Sequence, residues 1–228
     1  MGIISIENTD RLYWLGRYSE RTYTTIRLFA NSFDAMIDSV EGGHETFCKR
    51  LDIPDIYQDG EDFIRRYCFD PEDPNSIISN LTRAYDNAIL LREALGSEVI
   101  SYIQLAVYAM NKAGSSVSPL VELQEVCDDI LAFWGIVDDA VDSENVRNII
   151  KIGKRIERLD LYGRLHMSKT EMLREVHRLK GRLPKTCLKY RAASLDEIEA
   201  LAETDEIDYY GIVKRVENLL DTGGSDSV

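Results

Sequence analysis

Two segments of the chain share a glycine that is followed, four residues later, by a glutamate and an arginine. Residues 15–21 read LGRYSER and residues 152–158 read IGKRIER, so the two glutamates, at positions 20 and 157, lie 137 residues apart. Guanidinium and carboxylate groups form strong, charge-assisted hydrogen bonds, either with each other or with an anionic ligand. Their repetition indicates one polar cluster built from two copies of a motif.

The glycines of the two segments predict how the copies meet. At about 100° per residue, Gly16 and Glu20 share a narrow stripe of a helix, and so do Gly153 and Glu157. A glycine inside a helix costs about 1 kcal/mol, and it usually permits another backbone to approach closely. We therefore predict that two helices cross near Gly16 and Gly153. The polar side chains that this crossing would gather are Arg17, Glu20, Arg21, Lys154, Glu157 and Arg158.

The sequence leaves two interpretations of this cluster open. Buried carboxylate–guanidinium pairs can fix the register of two helices without binding anything else. In the other interpretation, Arg17, Arg21, Lys154 and Arg158 bind a carboxylate- or phosphate-bearing ligand.

A further helix carries a stripe of residues that suit directed hydrogen bonds. Arg83, Asn87 and Glu98 recur at intervals of four and eleven, which places them near one face of a helix. A solvated face is usually rich in Lys and Glu, whereas Arg and Asn are better suited to directed contacts. We predict that Arg83 and Asn87 face the two Glu-Arg helices and complete a polar pocket.

A competing chemistry comes from Asp138, Asp139 and Asp142, which match the DDxxD pattern of all-α isoprenoid synthases. Three carboxylates on adjacent turns can bridge magnesium. However, the nearby pair Asp128-Asp129 lacks the third member of a second acidic motif, and an Asp-rich chain produces this pattern by composition. We expect a solvated acidic face with no metal. The sequence contains no Walker A, GxSxG or Rossmann glycine pattern, so it predicts no cofactor.

Helical periodicity dominates the chain, and no segment alternates with period two for long enough to predict a strand. We predict an all-α fold, a single bundle of long antiparallel helices with an internal duplication, over residues 1–221, and a disordered tail at 222–228. The predicted helices span residues 8–40, residues 76–113 with a weak point at Gly96, residues 119–142 as one helix or as two with a kink at Gly135, and residues 143–167. Two more begin at the capping boxes Ser168-x-x-Glu171 and Ser194-x-x-Glu197.

Charge and cysteine usage limit the partners and the compartment. The 228 residues include 27 basic and 40 acidic side chains, for a net charge of −13. This charge argues against nucleic acid and against a polybasic membrane anchor, because both need clustered positive charge. Four widely separated cysteines fit reduced thiols. Since the sequence shows no signal peptide and no membrane-spanning run, we expect a cytoplasmic protein.

The order of these motifs resembles that of the bacterial alpha-E domain family, helical proteins with a Glu-Arg motif. The resemblance rests on three segments: residues 8–21, residues 73–98 beginning Asp-Pro-Asn-Ser, and residues 133–160, which include Phe-x-Gly and the second Glu-Arg pair. It implies an all-α bundle. Proteins that look like this are commonly encoded beside, or fused to, circularly permuted ATP-grasp and transglutaminase-like proteins, which implies a role with amide-linked peptides or amino-acid conjugates.

These inferences lead us to expect a helical auxiliary subunit that acts with an ATP-grasp amide-bond-forming partner and binds a small anionic ligand at the Glu-Arg cluster. Whether the chain is itself an enzyme stays open. In one alternative the same cluster acts on an activated acyl group, and a weaker one is an isoprenoid-synthase-like enzyme that uses magnesium and diphosphate. Homo-oligomerisation also stays open.

Overall fold

The computed structural model describes residues 5–38 and 43–220, with the backbone alone for residues 30–38. These residues form eleven α-helices and one short 3-10 helix, and their only β-type pairing is an isolated bridge between Tyr190 and Leu220. The all-α fold that the sequence predicts is therefore confirmed over this part. The predicted tail at 222–228 and the predicted end of the first helix near residue 40 lie outside it.

The helices follow one another through short connections, and α1 and α8 carry the two Glu-Arg segments. None of the helices among residues 5–38 and 43–220 is long and apolar enough to cross a membrane. The helices are α1 (Ile6–Asp38), α2 (Gly43–Leu51), α3 (Gly60–Phe69), α4 (Ile77–Leu90), α5 (Arg92–Leu95), α6 (Ser97–Gly114), α7 (Pro119–Ala140), α8 (Glu144–Arg164), α9 (Lys169–Arg182), α10 (Ala192–Glu203) and α11 (Tyr209–Glu217), with the 3-10 helix at Leu183–Lys185.

The long helix predicted after Ser76 is interrupted at its predicted weak point. Ser76 caps α4, because its side chain accepts a hydrogen bond from the amide of Ser79 at 3.1 Å. After α4 ends, α5 contributes a single turn, and Gly96 then adopts φ = 79°, a backbone region that favours glycine. The predicted break at Gly96 separates α5 from α6, and a second break at Leu91, which was not predicted, separates α4 from α5.

The two predicted capping boxes have different outcomes. Ser168 and Glu171 form a complete capping box at the start of α9, as predicted. The prediction at Ser194 is wrong, because α10 already begins at Ala192 and Ser194 lies inside it. Immediately before this helix, the amide of Arg191 donates to the carbonyl of Leu219 at 2.9 Å.

Two pairs of consecutive helices, α6 with α7 and α8 with α9, pack as antiparallel hairpins. Lys112 near the end of α6 pairs with Glu122 and Glu125 near the start of α7, at 3.1 and 2.7 Å. Likewise, Arg182 at the end of α9 donates to Asn148 near the start of α8 at 2.7 Å. Short connections favour this arrangement, since they hold the joined ends of two helices together.

The pair formed by α1 and α8 is the most extensive helix contact and runs parallel. Gly16 lies against Ile150, and further along both helices Arg21 lies beside Asp160. This pair therefore departs from the antiparallel packing predicted for the bundle. Six helices separate α1 from α8 in sequence, so the chain has room to return to the same end. Because α4 and α7 pack on α1, and α9 and α11 pack on α8, the Glu-Arg segments lie at the centre of the bundle.

Candidate functional site

The helices α1 and α8 touch through the two motif glycines. A Cβ atom on Gly16 would lie far inside van der Waals distance of the Ile150 carbonyl oxygen, and one on Gly153 would meet the Tyr13 carbonyl oxygen in the same way. Under the 137-residue offset, Ile150 is the counterpart of Tyr13. The predicted crossing is confirmed, and its two contacts are related by a local twofold axis.

Glu157 of α8 is held by two arginines of α1. Arg17 Nε donates to Oε2 at 2.6 Å, and Arg21 Nε donates to Oε1 at 2.5 Å. The Glu157 side chain is only 2% exposed. Burial by itself raises the pKa of Glu157, but the two arginines outweigh burial and hold the pKa below its ordinary value of 4.5. Glu157 is therefore ionised at neutral pH.

Glu20 of α1 is held in the same way by α8. Arg158 donates to Oε1 through Nε at 2.6 Å and lies 2.5 Å away through Nη2. Lys154 Nζ lies 3.9 Å from Oε2, an atom that has no hydrogen-bond partner in the described structure. Thr24 adds a local hydrogen bond from its hydroxyl to Oε1 at 2.7 Å. Glu20 is completely buried.

The two glutamates thus exchange partners across the crossing. Glu157 is bound by the basic residues three positions before and directly after Glu20. Glu20 is bound by the basic residues three positions before and directly after Glu157. The cluster that the sequence predicts from Arg17, Glu20, Arg21, Lys154, Glu157 and Arg158 is therefore assembled. Ligand binding by these residues stays a prediction.

Lys154 is basic like its counterpart in the first motif but makes different contacts. Its counterpart is Arg17, which makes a direct hydrogen bond, whereas the Lys154 ammonium lies 3.9 Å from the centre of the Trp134 ring. Burial lowers the pKa of Lys154 to about 7, and the attraction of Glu20 opposes this shift only in part. The neutral form of the Lys154 amine is therefore substantially populated near neutral pH.

Sequence reasoning missed a third carboxylate, Glu175 of α9, which extends the cluster. It is completely buried and accepts hydrogen bonds from Arg155 at 2.8 Å and from Arg178 at 2.9 Å. Arg158 also lies 3.6 Å away, so this arginine bridges Glu20 and Glu175. The one available signal was the extra basic residue in the second motif, since Arg155 has an uncharged counterpart, Tyr18, in the first motif.

A second extension leads from the cluster towards the end of α8. Arg21 Nη2 lies 3.7 Å from Asp160, and Arg164 Nε donates to the same carboxylate at 3.0 Å. Arg164 then reaches Glu217 of α11 at 2.7 Å. Burial and the nearby charge of Glu157 raise the pKa of Asp160. A continuous chain of charged groups therefore connects the centre of the bundle to its surface.

The second predicted stripe lies elsewhere. Arg83 stacks over the ring of Tyr18 at 5.7 Å, and Asn87 lines a shallow groove beside the same tyrosine. Tyr18 is about 200° around α1 from Glu20, so α4 meets the other side of that helix. Neither side chain bonds to a motif glutamate among the described residues, and Glu98 is exposed on α6. The predicted joint pocket is not formed.

The aspartates of the DDxxD pattern are dispersed on the surface. Asp138 forms an ion pair with Lys151, Asp139 is exposed, and Asp142 lies beyond the end of α7. In the described part of the chain, one group of three His, Cys, Asp or Glu side chains has ligand atoms within 4.8 Å of one another, and it consists of His44 and Glu45 of α2 with Asp55. The geometry therefore favours the solvated acidic face.

The arrangement at the crossing suits a structural lock better than acid–base chemistry. A general base needs a carboxylate that is open to its substrate, whereas both motif glutamates are buried and each faces two cations. Removal of one member of such a set leaves an uncompensated buried charge. The charges consequently fix the register of α1 against α8.

Comparison with protein families gives one match. The model for Alpha-E, described as a predicted alpha-helical domain with a conserved ER motif, matches residues 8–199. The matched segment contains both Glu-Arg pairs and ends before α11. Comparison with curated proteins and with solved structures gives no match.

Proposed function

The chain belongs to the Alpha-E family, and on that premise we propose that it is a non-catalytic helical subunit acting with an ATP-grasp protein that forms amide bonds. The partner is suggested by the genes and fusions in which proteins resembling this chain commonly occur. One observation carries the non-catalytic role: both motif glutamates are buried and ion-paired to the opposite helix. A rigid bundle held in this way supports a partner without supplying reactive groups.

Both carboxylates of the central cluster are already paired with cations of the opposite helix, which supports a structural role for it. An anionic ligand at Arg17 or Arg21 would have to displace Glu157, a carboxylate fixed on a central helix. Such displacement would leave a buried charge without its partner, at a cost of about 3–5 kcal/mol. We therefore assign register fixation to the cluster and partner recognition to the surface of the bundle.

The cysteines support the same proposal. Burial raises the pKa of Cys48 and Cys127 to about 12, so neither is a thiolate nucleophile at neutral pH. All four cysteines are unpaired, which suits the cytoplasm, the compartment in which we propose that the protein acts.

The alternative, an enzyme that acts on an activated acyl group, is favoured by one observation. Lys154 has a pKa of about 7, so its amine is available as a base or nucleophile. Its side chain is 11% exposed and lies against Trp134, which restricts access. We therefore rank this function second.

The partnership is tested with the full chain and the ATP-grasp protein encoded beside it. We expect a complex in size-exclusion chromatography with light scattering, and ATP-dependent amide formation, followed by ADP release, that requires this chain. Lys154→Met should leave that activity intact. Ligase activity that is the same with and without the chain, together with no complex, would overturn the proposal. ATP-independent transfer of an activated acyl group by the chain alone, lost in Lys154→Met, would establish the enzyme instead.

A further inference from the structure

A cleft of about 760 Å³ opens at the end of α8, outside the Glu-Arg cluster. Its walls come from the ends of α2 and α8 and from α11. A volume in this range suits a ligand of metabolite size. Because α11 lies beyond residues 8–199, one wall of the cleft is not part of the segment matched by the Alpha-E family.

The cleft concentrates positive charge in an acidic protein. Lys49, Arg50 and Lys214 line it, are exposed, and have no ion-pair partner among the residues that the structure describes. The whole chain carries a net charge of −13. Three cations without ion-pair partners among the described residues, around one concave surface, therefore create a local positive potential that attracts anions.

A fourth cation, Arg164, anchors the floor of the cleft. Its side chain is 16% exposed, and it pairs with Glu217 at 2.7 Å and with Asp160 at 3.0 Å. The other carboxylate that lines the cleft, Asp52, lies 3.9 Å from the same guanidinium. Both lining carboxylates are thus directed at Arg164, which leaves the three surface cations free for a ligand.

Local contacts order two of the walls of the cleft. Asp52 and His166 follow the ends of α2 and α8, and both adopt left-handed backbone conformations, with φ of 58° and 55°. His166 stacks on Tyr209 with ring centres 4.5 Å apart, and the Tyr209 hydroxyl donates to the Met167 carbonyl at 2.9 Å. Such preorganisation lowers the entropic cost of binding.

We propose that this cleft binds a small molecule that carries a phosphate group and is no larger than a nucleotide. A phosphate offers up to two charges and several acceptor oxygens, which match three cations that line one cleft better than a single carboxylate does. The site is separate from the Glu-Arg cluster and does not depend on the proposed partnership.

The proposal is tested by calorimetric titration of the full chain at low salt with three probes: ADP, pyrophosphate and adenosine. We expect saturable binding of ADP and pyrophosphate. The double variant Lys49→Glu/Lys214→Glu should weaken both by at least about tenfold, or ~1.4 kcal/mol, while circular dichroism stays that of the unchanged protein. Arg164 is left intact in this variant, because its loss would also remove the hydrogen bond that it donates to the buried carboxylate of Asp160.

The matched control is Lys112→Glu/Lys185→Glu, which makes the same change in net charge outside the cleft. Lys185 lies near Glu144 at the start of α8, about 30 Å along that helix from the cleft. The control should change affinity by less than about twofold. Equal weakening by both double variants, adenosine binding as tight as that of ADP, or no saturation by either phosphate probe at millimolar concentration would each overturn the proposal.

Discussion

Glu20 and Glu157 exchange partners across the crossing of α1 and α8, so that each carboxylate is bound by the arginine that follows the other. Arg158 holds Glu20 at 2.6 Å, and Arg21 holds Glu157 at 2.5 Å. The two residues of each motif therefore do not pair with each other; they connect two copies of one motif. This exchange makes the duplication a structural requirement, because either copy alone would leave a buried, unpaired charge.

The close approach of the helices predicts that Gly16→Ala and Gly153→Ala each destabilise the fold by about 1–3 kcal/mol, through overpacking against the opposite backbone. Gly135→Ala is the matched control. It lies within α7 with nothing within 4 Å of a Cβ, so this change should stabilise by up to about 1 kcal/mol through helix propensity. Urea unfolding measures all three. A Gly16→Ala variant as stable as the parent would contradict the crossing.

The buried ion pairs predict that Glu157→Gln destabilises the protein by about 3–5 kcal/mol at neutral pH, because Arg17 and Arg21 lose their counter-charge in the core. Glu206→Gln, an exposed position between α10 and α11, should stay within about 0.5 kcal/mol of the parent. Urea unfolding compares the two variants. A similar small effect for both would show that Glu157 is not buried with its partners.

Acid should reduce the difference between the parent protein and Glu157→Gln. The pKa of Glu157 is held below 4.5 in the folded state, so its stabilising contribution is complete above pH 4.5 and is lost as the pH falls through the folded pKa. The unfolding free energies of the two proteins should therefore converge in urea titrations carried to low pH. A difference that grows with acidity would contradict this direction.

Lys154 predicts a pH dependence of the same direction in a second, alkaline window. Burial lowers its folded-state pKa from 10.5 to about 7, so between these values the unfolded chain binds a proton that the folded chain does not. Stability contributed by this group therefore rises with pH in that window, by at most about 1.4 kcal/mol per pH unit. Relative to Lys154→Met, the parent should gain stability from pH 7 to pH 10. Lys185→Met, at an exposed lysine, should show no such trend, and a falling difference would contradict the shift.

The dispersed aspartates predict that magnesium leaves the thermal midpoint unchanged, with and without pyrophosphate at physiological salt. Asp138 is paired with Lys151, and Asp139 and Asp142 have no companion carboxylates close enough to complete a site among the described residues. Differential scanning calorimetry of the parent and of Asp139→Ala provides the comparison. A magnesium-dependent rise in the parent that disappears in Asp139→Ala would restore the isoprenoid-synthase interpretation.

The sequence was informative where a residue type has a single physical use. Gly16 and Gly153 have low helix propensity, and close backbone contact is what offsets that cost. They therefore predicted the crossing that the structure shows. Gly96 and Ser168 likewise marked a break and a helix start, because backbone freedom and capping are local properties.

Tertiary packing decided the features that the sequence missed. Arg83 and Asn87 lie on one helix face as predicted, but which side of α1 that face meets depends on how α4 packs. Glu175 belongs to a helix outside the repeat, so no spacing rule linked it to Arg155 and Arg158. The cleft at the end of α8 also depends on α11, which is distant from α2 in sequence and lies beside it only in the folded protein.

The exchange of partners is tested most directly by two double-mutant cycles measured by urea unfolding. One combines Arg21→Met with Glu157→Gln, which pair across the crossing, and the other combines Arg21→Met with Glu20→Gln, which are neighbours in sequence. We predict a favourable coupling of about 2–3 kcal/mol for the first pair and less than about 0.5 kcal/mol for the second. A larger coupling within the motif than across the helices would contradict the account.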